Sequence, residues 1–229
     1  MFQIKICGIT SVDDAISVAR AGADAVGLNF YAGSPRYVPL RQAGPIVDAL
    51  PDTMLKVGLF VNAAVGEICE KFEHLRLDLI QLHGDEPPAF LSELGDRPVM
   101  RAFRLGPEGL DPVDRYLAEC RRLNCTPCLT LIDACVKGKY GGSGQVADWQ
   151  ALKTFQSDET VSADTARPPL VLAGGLTSEN VAAAISTVRP AAVDTASGVE
   201  SSPPLKDPAK VAAFVRAARE GFDRPRVTC

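Results

Sequence analysis

The segment IKICGITSVDDAISVARAGADAVGLNF, residues 4–30, places a helical stripe between two short apolar runs. The runs Ile4 to Cys7 and Ala25 to Phe30 show no strict in-out alternation, which is typical of strands buried on both faces of a parallel sheet. The stripe between them has the i, i+3, i+4, i+7 spacing of one helix face; its members are Val12, Ala15, Ile16 and Ala19. The segment therefore predicts one strand-helix-strand unit.

The same alternation occurs eight times along the 229 residues, with shorter helical stripes after Asp85 and Asp148. The further strand-like runs are residues 55–61, 77–82, 99–103, 128–133, 170–173 and 192–195. Eight units of about 28 residues favour a closed barrel over an open doubly wound sheet, which more often has five or six strands. We therefore expect an α/β fold, a single-domain (β/α)8 TIM barrel over residues 1–229 with a parallel eight-stranded core. Residues 157–169 should form a polar surface insertion and residues 222–229 a flexible tail.

Charge and hydropathy exclude several classes of partner. The net charge is −4, and the chain has no basic run and only one Trp, so it lacks the electrostatic footprint of a protein that binds nucleic acid or an anionic membrane surface. No stretch approaches the roughly 20 continuous apolar residues of a membrane helix, and Met1 leads into a strand-like run rather than a signal peptide. We therefore expect a cytoplasmic protein that binds neither nucleic acid nor membrane.

Seven cysteines are too few for a disulfide scaffold in a chain of this length, and an odd number favours free thiols. Cys125 and Cys128 have C-x-x-C spacing, so a zinc or redox site is an alternative. The pair lacks a second pair at suitable spacing, and His74 and His83 lie far away in the sequence. We therefore expect structural thiols and no bound metal.

Glycine and polar residues collect where the predicted strands end. In a β/α barrel, the reacting groups come from the carboxyl ends of the strands and the loops that follow. Gly174 and Gly175 follow the seventh strand and Gly198 follows the eighth, so their backbone N–H groups can approach an anion. The same glycines could serve tight turns alone. Two such turns at adjacent strand ends favour a phosphate site, which β/α barrels commonly have at this place.

Other strand ends carry candidate reactive and binding groups. Cys7 ends the first strand and Asp133 the sixth, where partial loss of solvent would raise the pKa of a carboxyl group and let it donate a proton near neutral pH. Arg36, after the rigid Pro35, could bind a carboxylate or phosphate through two parallel hydrogen bonds. The loop of residues 141–144 could close over a ligand as a lid. A buried thiol, an ion-paired Asp, a solvated Arg and a plain flexible loop are the alternatives.

Together these segments resemble the phosphoribosylanthranilate isomerase family of tryptophan biosynthesis, whose members are (β/α)8 barrels. The matching stretches run in order along the chain: KICGIT at 5–10, GLNFYAGSPRYV at 27–38, GLFVN at 58–62, QLHGDE at 81–86, LIDACVKGKYGGSGQVADW at 131–149, LAGGLTSENV at 172–181 and VDTASGVE at 193–200. No single stretch is decisive, but the ordered set is implausible by chance.

The resemblance implies an Amadori rearrangement of N-(5-phosphoribosyl)anthranilate to 1-(2-carboxyphenylamino)-1-deoxyribulose 5-phosphate, without metal or organic cofactor. Cys7 matches the family's general base, Asp133 its general acid, and Arg36 the residue that holds the anthranilate carboxylate. The other expected substrate-binding residues are Gln81, His83, Gly142, Ser143, Gly174, Gly175, Ser197 and Gly198. The expected partner is a small phosphorylated substrate, bound by a monomer or a homodimer.

Two other functions are compatible with these residues. One is another sugar-phosphate isomerase of the phosphate-binding barrel group, although those sites generally use a carboxylate or Lys at the first strand, where this chain has Cys7. The other is a non-catalytic phosphate- or zinc-binding barrel that uses the Cys125 and Cys128 pair. Stoichiometric zinc in the purified protein would favour the second.

Overall fold

Eight parallel strands close into one barrel in a computed structural model that describes residues 1–134, 149–155 and 166–223. The strands pair in chain order, and β1 also pairs with β8. They are β1 (Ile4–Cys7), β2 (Ala25–Asn29), β3 (Leu55–Phe60), β4 (Leu79–Leu82), β5 (Val99–Arg104), β6 (Leu129–Asp133), β7 (Leu170–Ala173) and β8 (Ala192–Thr195). Each predicted strand agrees with an observed strand to within two residues at either end. The predicted TIM barrel is therefore confirmed.

Seven α-helices lie in the described part of the chain. They are α1 (Val12–Arg20), α2 (Leu40–Asp48), α3 (Val65–His74), α4 (Pro88–Glu93), α5 (Asp111–Arg122), α6 (Val181–Val188) and α7 (Pro208–Asp223). The two short stripes of the sequence correspond to α4 and to a 3-10 helix at Trp149–Leu152, the one helical element described between β6 and β7. None of the described helices has the length and apolar character needed to cross a membrane.

A short antiparallel hairpin after β8 was not predicted. It consists of β9 (Glu200–Ser202) and β10 (Leu205–Lys206), and a 3-10 helix at Ser197–Val199 precedes it. Strands of three and two residues are too short to produce a periodic pattern in the sequence. The hairpin lies directly after the carboxyl end of β8 and therefore at the mouth of the barrel.

The strand side chains divide into an inner and an outer set. The inner apolar cluster fills the barrel, and its buried members are Phe2, Ala25, Val57, Leu79, Met100, Ala102, Leu129, Leu131, Val171, Ala173 and Ala192. A separate outer cluster, which includes Ile4, Ile6 and Ile132, contains the buried faces of the helices. Successive strand residues point to opposite faces, so the inner cluster shows which positions of each strand face the barrel interior.

The predicted insertion and tail fall partly outside the described residues. Of residues 157–169, only 166–169 are described, and Arg167 there donates to both carboxylate oxygens of Asp114 on α5 at 2.7 and 2.8 Å. Helix α7 continues to Asp223, and Phe222 packs against the outer cluster. The first two residues of the predicted tail therefore belong to α7, and residues 224–229 lie outside the described residues.

Candidate active site

Cys7 and Asp133, the predicted proton-transferring pair, both occupy inner positions at the carboxyl ends of their strands. Asp133 ends β6 two residues after Leu131 of the inner cluster, and Cys7 ends β1 next to Ile6 of the outer cluster. Because strand side chains alternate between faces, both groups point into the mouth of the barrel. Cys7 is buried, with 6% of its surface exposed, whereas Asp133 is half-buried.

Lys5 is a fully buried ammonium group between Cys7 and Asp194. Its Nζ donates to Asp194 Oδ1 at 2.9 Å and lies within electrostatic reach of the Cys7 sulfur. Gly27 on β2 makes room for this arrangement, since a Cβ at that position would lie 2.7 Å from Cys7 Sγ and 3.1 Å from Lys5 Nζ. Buried charges are costly unless they are paired. The Lys5 and Asp194 pair therefore makes a positive charge tolerable beside the thiol.

The electrostatics of Cys7 are a balance between burial and nearby cations. Burial raises the pKa of the Cys7 thiol above its ordinary value, while the positive charges of Lys5 and Lys206 act in the opposite direction. Burial also lowers the pKa of Lys5, but the negative charges of Asp194 and Cys7 together more than compensate, so the pKa of Lys5 is raised and the group stays charged. A thiolate formed at Cys7 would therefore face a permanent positive charge.

His83, in the loop after β4, lies within electrostatic reach of both sides of the mouth. Burial lowers its pKa, the carboxylates of Asp133 and Asp194 oppose that shift, and the positive charge of Lys5 adds to it. Gln81 Nε2 lies 3.3 Å from His83 Nδ1. Because the amide nitrogen can only donate, this contact fits a neutral ring that carries its proton on Nε2. A neutral His83 can therefore offer a hydrogen-bond donor to a ligand.

A buried network behind the same loop holds the backbone around His83. Arg101 on β5 donates to the Gly84 carbonyl at 2.9 Å and lies 3.4 Å from Glu86 Oε2. The Glu86 carboxylate accepts from the N–H groups of Asn62 at 2.7 Å and Gly84 at 3.0 Å. These contacts connect β3, β4 and β5 immediately next to His83. No local pattern in the sequence predicted this network.

Arg36 is ion-paired at the mouth of the barrel rather than solvated. Its Nε donates to Glu200 Oε1 at 2.6 Å and its Nη2 donates to Glu200 Oε2 at 2.7 Å. Lys206 Nζ donates to the same Oε1 at 2.9 Å. The stem of Arg36 crosses Gly8, where a Cβ would lie only 2.4 Å from Arg36 Cδ. The glycine that follows Cys7 therefore lets the guanidinium approach the thiol.

The predicted phosphate-binding turns lie side by side. Gly174 and Gly175 have φ values of +98° and +65°, in the left-handed region that favours glycine. A Cβ at Gly198 would lie 1.9 Å from the Leu176 carbonyl oxygen, so the two loops approach too closely for any other residue. Ser197 and Gly175 are exposed. The turns after β7 and β8 thus present backbone at one place on the rim.

Two expected substrate-binding residues, Gly142 and Ser143, and the expected lid at residues 141–144 lie outside the described residues. The C-x-x-C pair is described: Cys125 Sγ donates to the Pro88 carbonyl at 3.3 Å and Cys128 Sγ to the Val99 carbonyl at 3.2 Å. Within residues 1–134, 149–155 and 166–223, no three His, Cys, Asp or Glu side chains are grouped so that they could hold a metal ion.

Four charged residues of the site were not predicted from the sequence: Lys5, Asp194, Glu200 and Lys206. A usable signal existed for the first two, because each is a charged residue inside an apolar strand, IKIC and AVDT respectively. A charge inside a strand that is buried on both faces needs a partner. Glu200 and Lys206 gave no such signal, since they lie in the unpredicted hairpin.

Comparisons with known proteins point to one family. The family model for N-(5'-phosphoribosyl)anthranilate (PRA) isomerase matches residues 4–217. An N-(5'-phosphoribosyl)anthranilate isomerase of Geobacter metallireducens is 42% identical over 223 residues, covering 96% of this chain and 100% of the relative. The crystal structure of phosphoribosyl anthranilate isomerase from Thermotoga maritima matches with a TM-score of 0.80 and 35% identity, covering 96% of this chain and 100% of that chain. A second crystal structure of a phosphoribosyl anthranilate isomerase, in complex with reduced 1-(o-carboxyphenylamino)-1-deoxyribulose 5-phosphate, matches with a TM-score of 0.77 and 32% identity at the same coverage.

Proposed function

The chain belongs to the N-(5'-phosphoribosyl)anthranilate isomerase family and is an isomerase of tryptophan biosynthesis, and we propose that Cys7 and Asp133 transfer the protons of its reaction. The reaction is the Amadori rearrangement of N-(5-phosphoribosyl)anthranilate to 1-(2-carboxyphenylamino)-1-deoxyribulose 5-phosphate. The observation that carries the proposal is the inner position of both groups at the mouth of the barrel, with Lys5 beside Cys7 and His83 near Asp133.

Asp133 acts first, as the general acid. It donates a proton to the oxygen of the furanose ring, the bond between that oxygen and C1 breaks, and the lone pair of the anthranilate nitrogen forms an iminium. The position of Asp133 at the carboxyl end of β6 supports this role, because the reacting groups of β/α barrels come from the carboxyl ends of the strands. After the transfer, Asp133 is a carboxylate.

Cys7 acts second, as the general base. The iminium makes the C2 proton acidic, the Cys7 thiolate removes it, and the electron pair of the broken C–H bond forms the enolamine. Tautomerisation then places a proton on C1 and removes one from the C2 hydroxyl, which leaves the ketone and no net change in protons. Lys5 supports the role of Cys7, since its charge stabilises the thiolate. Each proton transfer by a positioned side chain is typically worth about 10² to 10⁴ in rate.

The remaining site residues bind the substrate. Arg36 takes the anthranilate carboxylate, and the neutral imidazole of His83, oriented by Gln81, donates to a substrate oxygen. The phosphate binds at the two glycine turns after β7 and β8, through backbone N–H groups. Those turns consist of Gly174, Gly175, Ser197 and Gly198. Gly142 and Ser143 belong to the same proposal through their place in the matching motif.

The whole chain, in this proposal, is one catalytic domain that needs no cofactor and works in the cytoplasm as a monomer or a homodimer. General acid and base chemistry needs only one group that donates a proton and one that accepts it, the roles proposed here for Asp133 and Cys7. Light scattering behind size-exclusion chromatography measures the mass and separates the two oligomeric states.

Complementation tests the function. The gene should restore growth without tryptophan to a bacterium that lacks only this isomerase. The same plasmid with Cys7→Ser is the matched control, and we expect it to restore growth poorly or not at all. Failure of the unaltered protein, when it is expressed and folded, would contradict the proposed function.

A further inference from the structure

The guanidinium of Arg36 is held on one edge by Glu200. Nε and Nη2, which form the side-on edge, donate to the two carboxylate oxygens at 2.6 and 2.7 Å. A guanidinium has five N–H donors, and this pair uses two of them. One donor of Nη1 and the second donor of Nη2 form the end-on edge, while the other donor of Nη1 points back towards Cδ. That edge has the fork geometry required by a second carboxylate.

Glu200 is itself fixed from the opposite direction. Its side chain is 2% exposed, and Lys206, whose side chain is 0% exposed, donates to Glu200 Oε1 at 2.9 Å and to the Ala196 carbonyl at 3.1 Å. Lys210 Nζ donates to the backbone carbonyl of Glu200 at 2.8 Å. Glu200 therefore cannot follow Arg36 if that side chain moves.

The charges of this cluster leave a positive surplus. Arg36 and Lys206 each contribute one positive charge and Glu200 contributes one negative charge, so the cluster of these three residues carries a net charge of +1. A lone Arg and Glu pair would be neutral and would compete with an incoming anion. Because Lys206 already neutralises part of the negative charge of Glu200, the guanidinium of Arg36 can still attract a further carboxylate.

We propose that Glu200, supported by Lys206, is a positioning residue that presents the end-on edge of Arg36 to the aryl carboxylate of the substrate and so sets the preference for a carboxylate-bearing aryl amine. The stem of Arg36 lies on Gly8 next to Cys7, so the orientation of its guanidinium determines where the aromatic ring sits relative to the base. This inference rests on the proposed role of Arg36 in binding that carboxylate. Preorganised donors bind without a further loss of side-chain freedom.

Two probes test the inference by binding alone. One is reduced 1-(o-carboxyphenylamino)-1-deoxyribulose 5-phosphate, and the other is the same molecule without the ring carboxylate. We expect Glu200→Gln to weaken the first probe about tenfold, the loss expected for a charge-assisted contact. The second probe should be weakened by less than about twofold. In steady-state assays the KM should rise by a similar factor, with a smaller change in kcat.

Further variants keep the test interpretable. Glu200→Gln leaves the buried Lys206 without its partner, so Glu200→Gln with Lys206→Met provides a second form without an unpaired charge. Glu200→Asp, which keeps the charge, should recover part of the preference. Glu70→Gln, an exposed glutamate on α3, is the matched control and should change neither affinity.

The outcomes separate this inference from the proposed function. Equal weakening of both probes would show that Glu200 is only structural, and tighter binding of the carboxylate probe would show that it competes with the substrate. Either result overturns the inference. If Arg36→Met also weakens the binding of both probes equally, the proposed role of Arg36 is wrong. If Arg36→Met weakens the carboxylate probe more than the other probe and the Glu200 variants do not, only the inference fails.

Discussion

The two halves of the barrel interior differ in chemistry although the same strands build them. Towards the amino ends, the inner positions are apolar and close-packed, with Leu79, Met100 and Leu129 among them. Towards the carboxyl ends, the inner positions of β1, β4, β6 and β8 carry Cys7, Gln81, Asp133 and Asp194. A shift of two to four residues along a strand thus separates a dry core from a reactive site.

This difference shows how the fold supports buried charge. The apolar half supplies the burial that stabilises the barrel, at about 25 cal/mol for each Å² of apolar surface removed from water. The polar half pairs each buried ion with an oppositely charged group, as Lys5 and Asp194 do at 2.9 Å. Stability and catalysis should therefore respond to substitutions in different halves.

The largest effect should follow from changing the reacting groups in the polar half. Cys7→Ser and Asp133→Asn should each lower kcat by at least about 10²-fold, because each removes a proton-transferring group. Both replacements are nearly isosteric, so the midpoint of urea unfolding should change little. The measurement is steady-state turnover together with urea unfolding.

Matched controls for these two variants lie away from the barrel mouth. Cys69→Ser changes a half-buried thiol on α3, and Asp52→Asn changes an exposed carboxylate between α2 and β3. Both should turn over at close to the unaltered rate. Near-native rates for Cys7→Ser or Asp133→Asn would show that the role assigned to that residue is wrong.

Changing the apolar half should instead lower stability strongly and leave catalysis unaffected. Leu79→Ala should lower the free energy of unfolding by about 2–5 kcal/mol, since it leaves a cavity inside the barrel. The kcat of the folded fraction should be retained. Leu205→Ala, which changes a leucine that is 55% exposed, is the control and should stay within about 0.5 kcal/mol. If Leu79→Ala lowered kcat as much as Cys7→Ser does, stability and catalysis would not be separated between the two halves.

An intermediate effect concerns pH. Burial raises the pKa of Cys7, so kcat/KM should rise with pH through neutrality as the thiolate, the active form of a base, becomes populated. Lys5 opposes that shift more strongly than Asp194 adds to it. Lys5→Met with Asp194→Asn removes both charges without leaving one unpaired, and it should move the rise in kcat/KM to higher pH.

The readouts for this prediction are the pH profile of kcat/KM and the ultraviolet absorbance of the thiolate, with Cys7→Ser as the blank. A rise that stays in place or moves to lower pH in the double variant would show that Lys5 does not stabilise the thiolate. The double variant should also lower kcat/KM several-fold at neutral pH, because a smaller fraction of Cys7 is ionised.

The smallest effect should follow from changes outside the barrel. Cys125→Ser and Cys128→Ser replace thiols that donate to backbone carbonyls, and a hydroxyl can make the same bonds. Turnover should be unchanged, and elemental analysis of the purified protein should find no stoichiometric zinc. Zinc that is lost in either variant would instead favour a metal-binding role for the pair.

Much of the site could be predicted from local patterns. Cys7 and Asp133 each end a short apolar run, and the ends of parallel strands meet at one edge, so their place at the barrel mouth follows from sequence. Gly174 and Gly175 have positive φ values that favour glycine, which is a local property of the backbone, whereas Gly198 has no room for a Cβ beside Leu176 of the neighbouring loop. The position of Arg36 at the mouth could be predicted, but its partner could not.

The partners were decided by the closed barrel. Lys5 and Asp194 are 189 residues apart in the chain, and Arg36 and Glu200 are 164 apart. They meet because closure pairs β1 with β8 and brings the loop after β2 against the hairpin after β8. Periodicity and capping act over a few neighbouring residues, so the eight units and the strand ends could be read in order along the chain. The pairing of the buried charges depends on contacts between the two ends of the chain. Those contacts exist only after the barrel has closed.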